Sequence, residues 1–295
     1  MINNLKKGDK VALIAPASGQ KQGDEVLIEQ ALSVLESWGL SVIITPNINH
    51  HRYLSATDTD RATDVINALT HPEIKAIFVT RGGYGCARLL PYLDSVVVPT
   101  HRYLIGFSDI TTLHLYSYHW EKVINIHAPN VATQQFLGDN PSAEKNRQAL
   151  YNALFNGIYP SWQLTPLFTD NRHIDKSNIN KYIENIMNTD RVGGCLSLLV
   201  SSLGTPYEIN TDNKVLMIEE VCEAPYKIDR MLTHLRNAGK FDNVKAIVFG
   251  EMLHCDSPNI ALADVLRDEF ASDTFPVFST DSFGHGAINF PLHLG

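Results

Sequence analysis

Lys10-Val11-Ala12-Leu13-Ile14-Ala15 is an unbroken apolar run of strand length, closed by Pro16-Ala17-Ser18-Gly19. Runs of this kind suit a strand buried on both faces. Val26, Leu27, Ala31, Val34, Leu35 and Trp38 then recur at helical spacing, with Gly39 as a stop. The pattern goes on to predict a strand over residues 41–45, a helix over about 58–69, and strands over 74–80 and 103–107. A helical pattern with Leu113, Leu115 and Tyr116, a strand over 123–127 and a helix over about 142–155 follow. Strand and helix alternate at short intervals, which implies right-handed βαβ crossovers and a doubly wound parallel sheet. Ligand sites in such a sheet lie at the carboxyl ends of the strands.

Residues 1–158 therefore read as an N-terminal α/β domain. From 159 to 190 the periodicity loosens among Pro160, Pro166 and many Asn, Asp and Ser residues, and a linker or crossing segment is expected there. A second domain, 191–295, opens at Arg191-Val192-Gly193-Gly194. Its pattern predicts a buried strand over 215–218 ending in Glu219-Glu220, then a helix with Pro225 in its first turn and Ile228, Met231, Leu232 and Leu235 on one face. A strand over 245–250 follows, and 276–278 leads into a loop, Asp281-Ser282-Phe283-Gly284-His285-Gly286.

At 44% hydrophobic and 19% charged, the 295 residues suit a globular protein with ample core. A formal net charge of -8 argues against a general nucleic-acid or anionic-membrane binder, because such proteins need a basic face to displace counterions. The apolar stretch before Pro16 is too short for a signal sequence or a membrane span, so a cytoplasmic location is expected. Cys86, Cys195, Cys222 and Cys255 form no C-x-x-C pair and are expected to be packed thiols. His50-His51, His114 with His119, and His254-Cys255-Asp256 never give the paired histidines plus glutamate of a zinc-protease helix, so no metal is expected.

Two strand ends carry candidate chemistry. Tyr103-Leu104-Ile105-Gly106-Phe107 runs into Ser108-Asp109 and straight into a helical pattern, so the Ser108 hydroxyl is pushed out of the sheet edge. N–H groups at the following helix start are available to stabilise an oxyanion. After the 74–80 strand come Arg81, Gly82, Gly83, Tyr84 and Gly85, whose glycines let the backbone approach a ligand and leave amides exposed. Gly83 is the first candidate for a second oxyanion donor beside the Asp109 N–H, and Gly82 the next; a plain tight turn is the competing explanation. Arg81 is a candidate for holding a substrate carboxylate or, equally, a structural acid.

A serine nucleophile needs a base and a group to orient it. His285, flanked by glycines, is the first choice among the twelve histidines, and His127 at a strand end is the second. Glu219 and Glu220 are tied as the orienting acid. They point to opposite faces of one strand, so only one can serve. Ile110 stands where the second glycine of a Gly-x-Ser-x-Gly elbow belongs, which disfavours an ordinary lipase or esterase.

In order along the chain, Gly8-Asp9-Lys10-Val11-Ala12-Leu13-Ile14-Ala15-Pro16-Ala17-Ser18, Arg81-Gly82-Gly83-Tyr84-Gly85, Gly106-Phe107-Ser108-Asp109, Ile218-Glu219-Glu220-Val221, Pro225-Tyr226-Lys227-Ile228-Asp229-Arg230-Met231-Leu232 and Gly284-His285-Gly286 resemble the LD-carboxypeptidase family of serine peptidases. This resemblance implies an α/β fold: the N-terminal domain supplies the serine, and a C-terminal β-rich α+β domain supplies the other catalytic groups. It implies Ser108 as nucleophile, His285 as base, Glu219 rather than Glu220 as the acid, and the Gly83 and Asp109 amides as oxyanion hole. It further implies a cytoplasmic homodimer without cofactor that removes the terminal D-alanine from murein tetrapeptides during cell-wall recycling. Alternatives are the microcin-immunity branch, acting on peptidyl- or aminoacyl-nucleotide toxins, and a non-catalytic muropeptide- or nucleotide-binding protein. The chain departs from the family wording at Cys195, where asparagine is usual, and at Glu220, where aspartate is usual; relatives commonly run on a little past the histidine segment.

Overall fold

A computed structural model describes residues 4–21, 23–48, 52–168 and 179–295. His50 and His51, and residues 169–178 of the expected crossing segment, lie outside the described residues. The chain divides into two compact units, Met1–Pro160 with Ala287–His293, and Ser161–Gly286 with Leu294–Gly295.

The first unit contains Lys10–Ile14 (β1), Val26–Ser37 (α1), Ser41–Ile44 (β2), Asp58–Thr70 (α2), Ile74–Val79 (β3), Arg102–Gly106 (β4), Thr111–Tyr116 (α3), Val123–His127 (β5), Gln134–Leu137 (α4) and Pro141–Asn156 (α5). The second contains Thr165–Pro166 (β6), Ile179–Asn188 (α6), Arg191–Cys195 (β7), Leu196–Ser201 (α7), Val215–Val221 (β8), Pro225–Asn237 (α8), Ala246–Leu253 (β9), Leu262–Glu269 (α9) and Val277–Gly284 (β10). Leu292–Leu294 (β11) closes the list of strands.

The first sheet has the order β11-β5-β4-β3-β1-β2, and β1 to β5 pair in parallel. The chain winds outward from β1 to β2 on one side and through β3, β4 and β5 on the other. Its switch point therefore lies between β1 and β3, the place where sheets of this kind bind ligands. Val11, Leu13, Phe78 and Ile105 fill one layer of core with Leu35 and Phe136 from the covering helices. Helix starts are set locally: the Thr57 hydroxyl accepts the Asp60 N–H ahead of α2, and Asn140 Oδ1 accepts the Ser142 and Ala143 N–H groups with Pro141 at the first helical position of α5.

The second sheet has the order β6-β10-β9-β8-β7; β7 to β10 are parallel and only β6 is antiparallel. The fold is thus mixed α/β with two parallel-dominated sheets. Some local expectations change. The loosened stretch supplies β6 and α6, and α7 and α9 were not anticipated from the pattern. β10 runs through Asp281 to Gly284, so the expected loop begins only at His285; Asp281 is exposed while Ser282 and Phe283 are buried, and the polar residues hid the strand. Cys86, Cys195 and Cys255 are buried thiols, whereas Cys222 is exposed and not packed.

Candidate active site

Ser108 follows β4 through the extended residue Phe107 and itself takes φ +65, a left-handed conformation that a residue with a Cβ adopts at a cost. What holds it there is a brace around Phe107. The buried Asn130 accepts the Phe107 N–H at 3.3 Å and donates to the Phe107 carbonyl at 3.4 Å. On the other side stands Gly82, where a Cβ would lie 2.9 Å from Ser108 Cβ and 3.0 Å from its Oγ. Only glycine leaves the hydroxyl its space.

The glycine turn is tied to the serine turn by a side chain. The Asp109 carboxylate, itself buried, accepts the Cys86 N–H at 2.8 Å. Burial foremost pushes its carboxyl above the ordinary range, and the Cys86 hydrogen bonds with Arg61 and Gly85 draw it back by less. Arg61, fully buried, donates to the carbonyls of Pro16 and Gly85 (3.1 Å for the latter) and to Asp58 at 2.6 Å, so one guanidinium fixes the loops after β1 and β3. Gly83 takes φ +111 and faces Ser18, whose hydroxyl donates to the Tyr53 carbonyl at 2.6 Å and accepts the Tyr84 N–H at 3.3 Å.

The Gly82 and Gly83 N–H groups have no acceptor among the described residues. Asp109 is the second residue of a 3-10 turn, Ser108–Ile110, where an N–H has no acceptor within the turn. Arg81 donates to the Gly19 carbonyl at 3.1 Å and pairs with no carboxylate among the described residues. His127, the second-choice base, is fully buried at the end of β5, its ring centroid 5.6 Å from that of Phe107. It lies in the core beside His114, whose pKa burial pushes down to about 3.

In the second unit His285 Nδ1 and Glu219 Oε2 are 2.6 Å apart, with Glu219 fully buried in β8. A neutral imidazole donates Nδ1–H to this carboxylate, which fixes the tautomer with its lone pair on Nε2. Burial of the ring works against the imidazolium. The Glu219 hydrogen bond and charge, with the charge of Glu220, outweigh that, and the His285 pKa stands above the ordinary imidazole value.

The two glutamates have different tasks. β8 changes register against β9 between Ile218 and Glu220, and an irregularity of this kind re-aims side chains. Glu220, also buried, accepts the Ser197 N–H at 2.8 Å, the Val221 N–H at 2.9 Å and the Cys195 thiol at 3.4 Å. It thereby anchors the start of α7 to β8. Burial, with both carboxylates near, pushes the Cys195 thiol far up, so it is an inert side chain and no rival nucleophile.

Sequence reasoning did not find Asn130, Ser18 or Glu251, the last of which packs against Gly286. Asn130 did carry a signal: it is a buried amide three residues past the end of a strand neighbouring β4. Among the described residues no three His, Cys, Asp or Glu side chains gather as a metal site, and no helix is long and apolar enough to cross a membrane.

Residues 11–128 match the family described as LD-carboxypeptidase N-terminal domain, and 189–295 the LD-carboxypeptidase C-terminal domain. A probable murein peptide carboxypeptidase of Bacillus subtilis strain 168 is 33% identical over 297 residues, covering 99% of this chain and 88% of that protein. The chain belongs to the LD-carboxypeptidase family. As a member it is a peptidase. Another relative within the LD-carboxypeptidases, the murein tetrapeptide carboxypeptidase of Pseudomonas aeruginosa, is 31% identical, covering 95% of this chain and 89% of its own length. Among solved structures, the microcin C7 self-immunity protein MccF in its wild-type apo state superposes with a TM-score of 0.81 at 21% identity, covering 100% of this chain and 93% of that one. The muramoyltetrapeptide carboxypeptidase of Oxalobacter formigenes gives 0.74 at 22% identity, covering 97% and 92%. At these identities the structural likeness shows the shared LD-carboxypeptidase fold.

Proposed function

We propose that the protein is a serine carboxypeptidase that removes the terminal D-alanine of murein tetrapeptides, with Ser108 as nucleophile, His285 as base and Glu219 as its orienting acid. The observation that carries this is the left-handed Ser108 at a strand end, beside amides without acceptors, in a chain that also holds a histidine against a buried glutamate at 2.6 Å. His285 takes the serine proton as Ser108 Oγ attacks the carbonyl between the L-centre of the diamino acid and D-alanine. The Gly83 and Asp109 N–H groups stabilise the oxyanion, with Gly82 next in line as donor. His285 then returns the proton to the leaving amine, and water resolves the acyl-enzyme by the reverse relay. Arg81 supplies a cation for the terminal carboxylate of the substrate.

Mass spectrometry of murein tetrapeptide incubated with the protein and with its Ser108→Ala form tests the proposal. Loss of one alanine residue in the first case and none in the second is expected; equal loss in both would remove the mechanism. A cytoplasmic homodimer acting in cell-wall recycling goes with this function. A second substrate class, aminoacyl or peptidyl nucleotides, gains support from the exposed Tyr53 and Tyr84 rings, 6.0 Å apart beside Gly83, which offer a face for a base.

A further inference from the structure

Glu251 stands in an unusual position for a carboxylate. It lies on β9, opposite Gly284 in register, with its head group in the space that a side chain at residue 286 would fill: a Cβ built on Gly286 falls 1.5 Å from Oε2 and 2.6 Å from Oε1. The turn Gly284-His285-Gly286 is thus shaped around two acids. Glu219 holds the imidazole, with its own Cβ 3.3 Å from a Cβ placed at Gly284, while Glu251 lies along the far side of the turn.

The carboxylate is half-buried, yet it accepts no hydrogen bond and forms no ion pair among the described residues. Burial first, and repulsion by Asp281 second, push its carboxyl above the ordinary range, and His254 offsets this by less. A carboxylate partly withdrawn from water without a partner is a cost to the folded protein, and costs of this kind collect where a ligand relieves them. The opposite charge is what would relieve both burial and repulsion here.

We infer that Glu251 binds an alkylammonium group of the substrate, next to the histidine turn. This rests on the function proposed above. In a murein tetrapeptide the diamino acid that donates the scissile carbonyl carries such a group on its side chain, and in an aminoacyl nucleotide the α-amine carries it. The contact is a charge-assisted hydrogen bond, and Glu251 sets which acyl group is accepted.

Paired peptides test the inference: murein tetrapeptide, and the same peptide with its side-chain amine acetylated, plus a glutamyl-sulfamoyl nucleotide with free or acetylated α-amine. The kcat/KM of the intact protein should favour the free amine by roughly 10- to 100-fold in the pair that is the true substrate, the range for a hydrogen bond to a charged group. Glu251→Gln should bring that pair within about threefold, and Glu251→Asp should restore part of the preference. Binding of the same peptides to Ser108→Ala protein by calorimetry gives a readout that needs no turnover and no substitution at Glu251. Equal binding of free and acetylated forms, or an unchanged preference in Glu251→Gln, overturns the inference while leaving the proposed catalysis intact. Cleavage that survives Ser108→Ala overturns the catalysis instead, and the binding ratio still decides the role of Glu251.

Discussion

Gly82→Ala isolates the demand that the serine turn makes on its neighbour. Gly82 is not among the glycines with positive φ, so alanine fits its backbone and the substitution acts through one methyl group alone. That methyl would lie 2.9 Å from Ser108 Cβ and 3.0 Å from Oγ. Carbon atoms in contact settle at about 3.5–4.0 Å, so the serine side chain must retreat by roughly 0.5–1 Å. A displacement near 1 Å at a reacting atom costs on the order of 10²-fold in rate, or ~2.7 kcal/mol of transition-state stabilisation. We expect kcat/KM for D-alanine release to fall about 30- to 100-fold, mostly in kcat, with the thermal midpoint shifted by no more than a few degrees. The rate at which a serine-directed phosphonate labels Ser108 should fall in parallel. A variant with kcat/KM within threefold of the parent, and an unchanged labelling rate, would show that the hydroxyl does not depend on the space at Gly82. Gly83→Ala is a poorer probe, because φ +111 and a Cβ position 2.3 Å from Ser18 Oγ would strain the backbone as well.

Three further outcomes follow from the His285–Glu219 pair and from Asn130. The His285 pKa is raised, and a base must be neutral, so kcat/KM should decline on acidification through a value above ~6.5, and Glu219→Gln should move that limb to lower pH as well as lowering the plateau. The stability from this pair is fully present below the unfolded imidazole pKa and disappears as pH rises through the folded one. Glu219→Gln should therefore destabilise more at pH ~5.5 than at pH ~9, and denaturant melts with the reverse order would contradict it. Asn130→Ala removes one buried hydrogen bond from each of the Phe107 N–H and carbonyl groups, at a cost of about 1–3 kcal/mol. Calorimetry should show a lower midpoint and assays a lower kcat, and an unaltered midpoint would mean that the brace is idle.

Much of this was legible along the chain, for identifiable reasons. Ser108 stood out because an apolar strand meets a helical pattern with no loop between them, a local signal that one segment carries by itself. The choice between Glu219 and Glu220 was not local: β8 slips against β9 at that point, and a slip is a property of two strands. Asn130 was missed for a similar reason, since its partner is twenty-three residues upstream and joins it only through the pairing of β4 with β5. The extension of β10 was hidden by Thr280, Asp281 and Ser282, whose polar side chains mimic a turn although two of the three are buried. α9 spans only eight residues with Leu262 and Leu266 as its buried contacts, too few to give a period.

The twisted backbone at Ser108 decides which silent copy of the protein is a faithful one. Alanine keeps the Cβ, and with it the torsional tension that Asn130 and Gly82 hold in place, so an uncut substrate bound to that form meets the native contour. Glycine would let the segment relax into a shape the working protein never has. Trapped complexes made with the two replacements should not be treated as interchangeable views of one encounter.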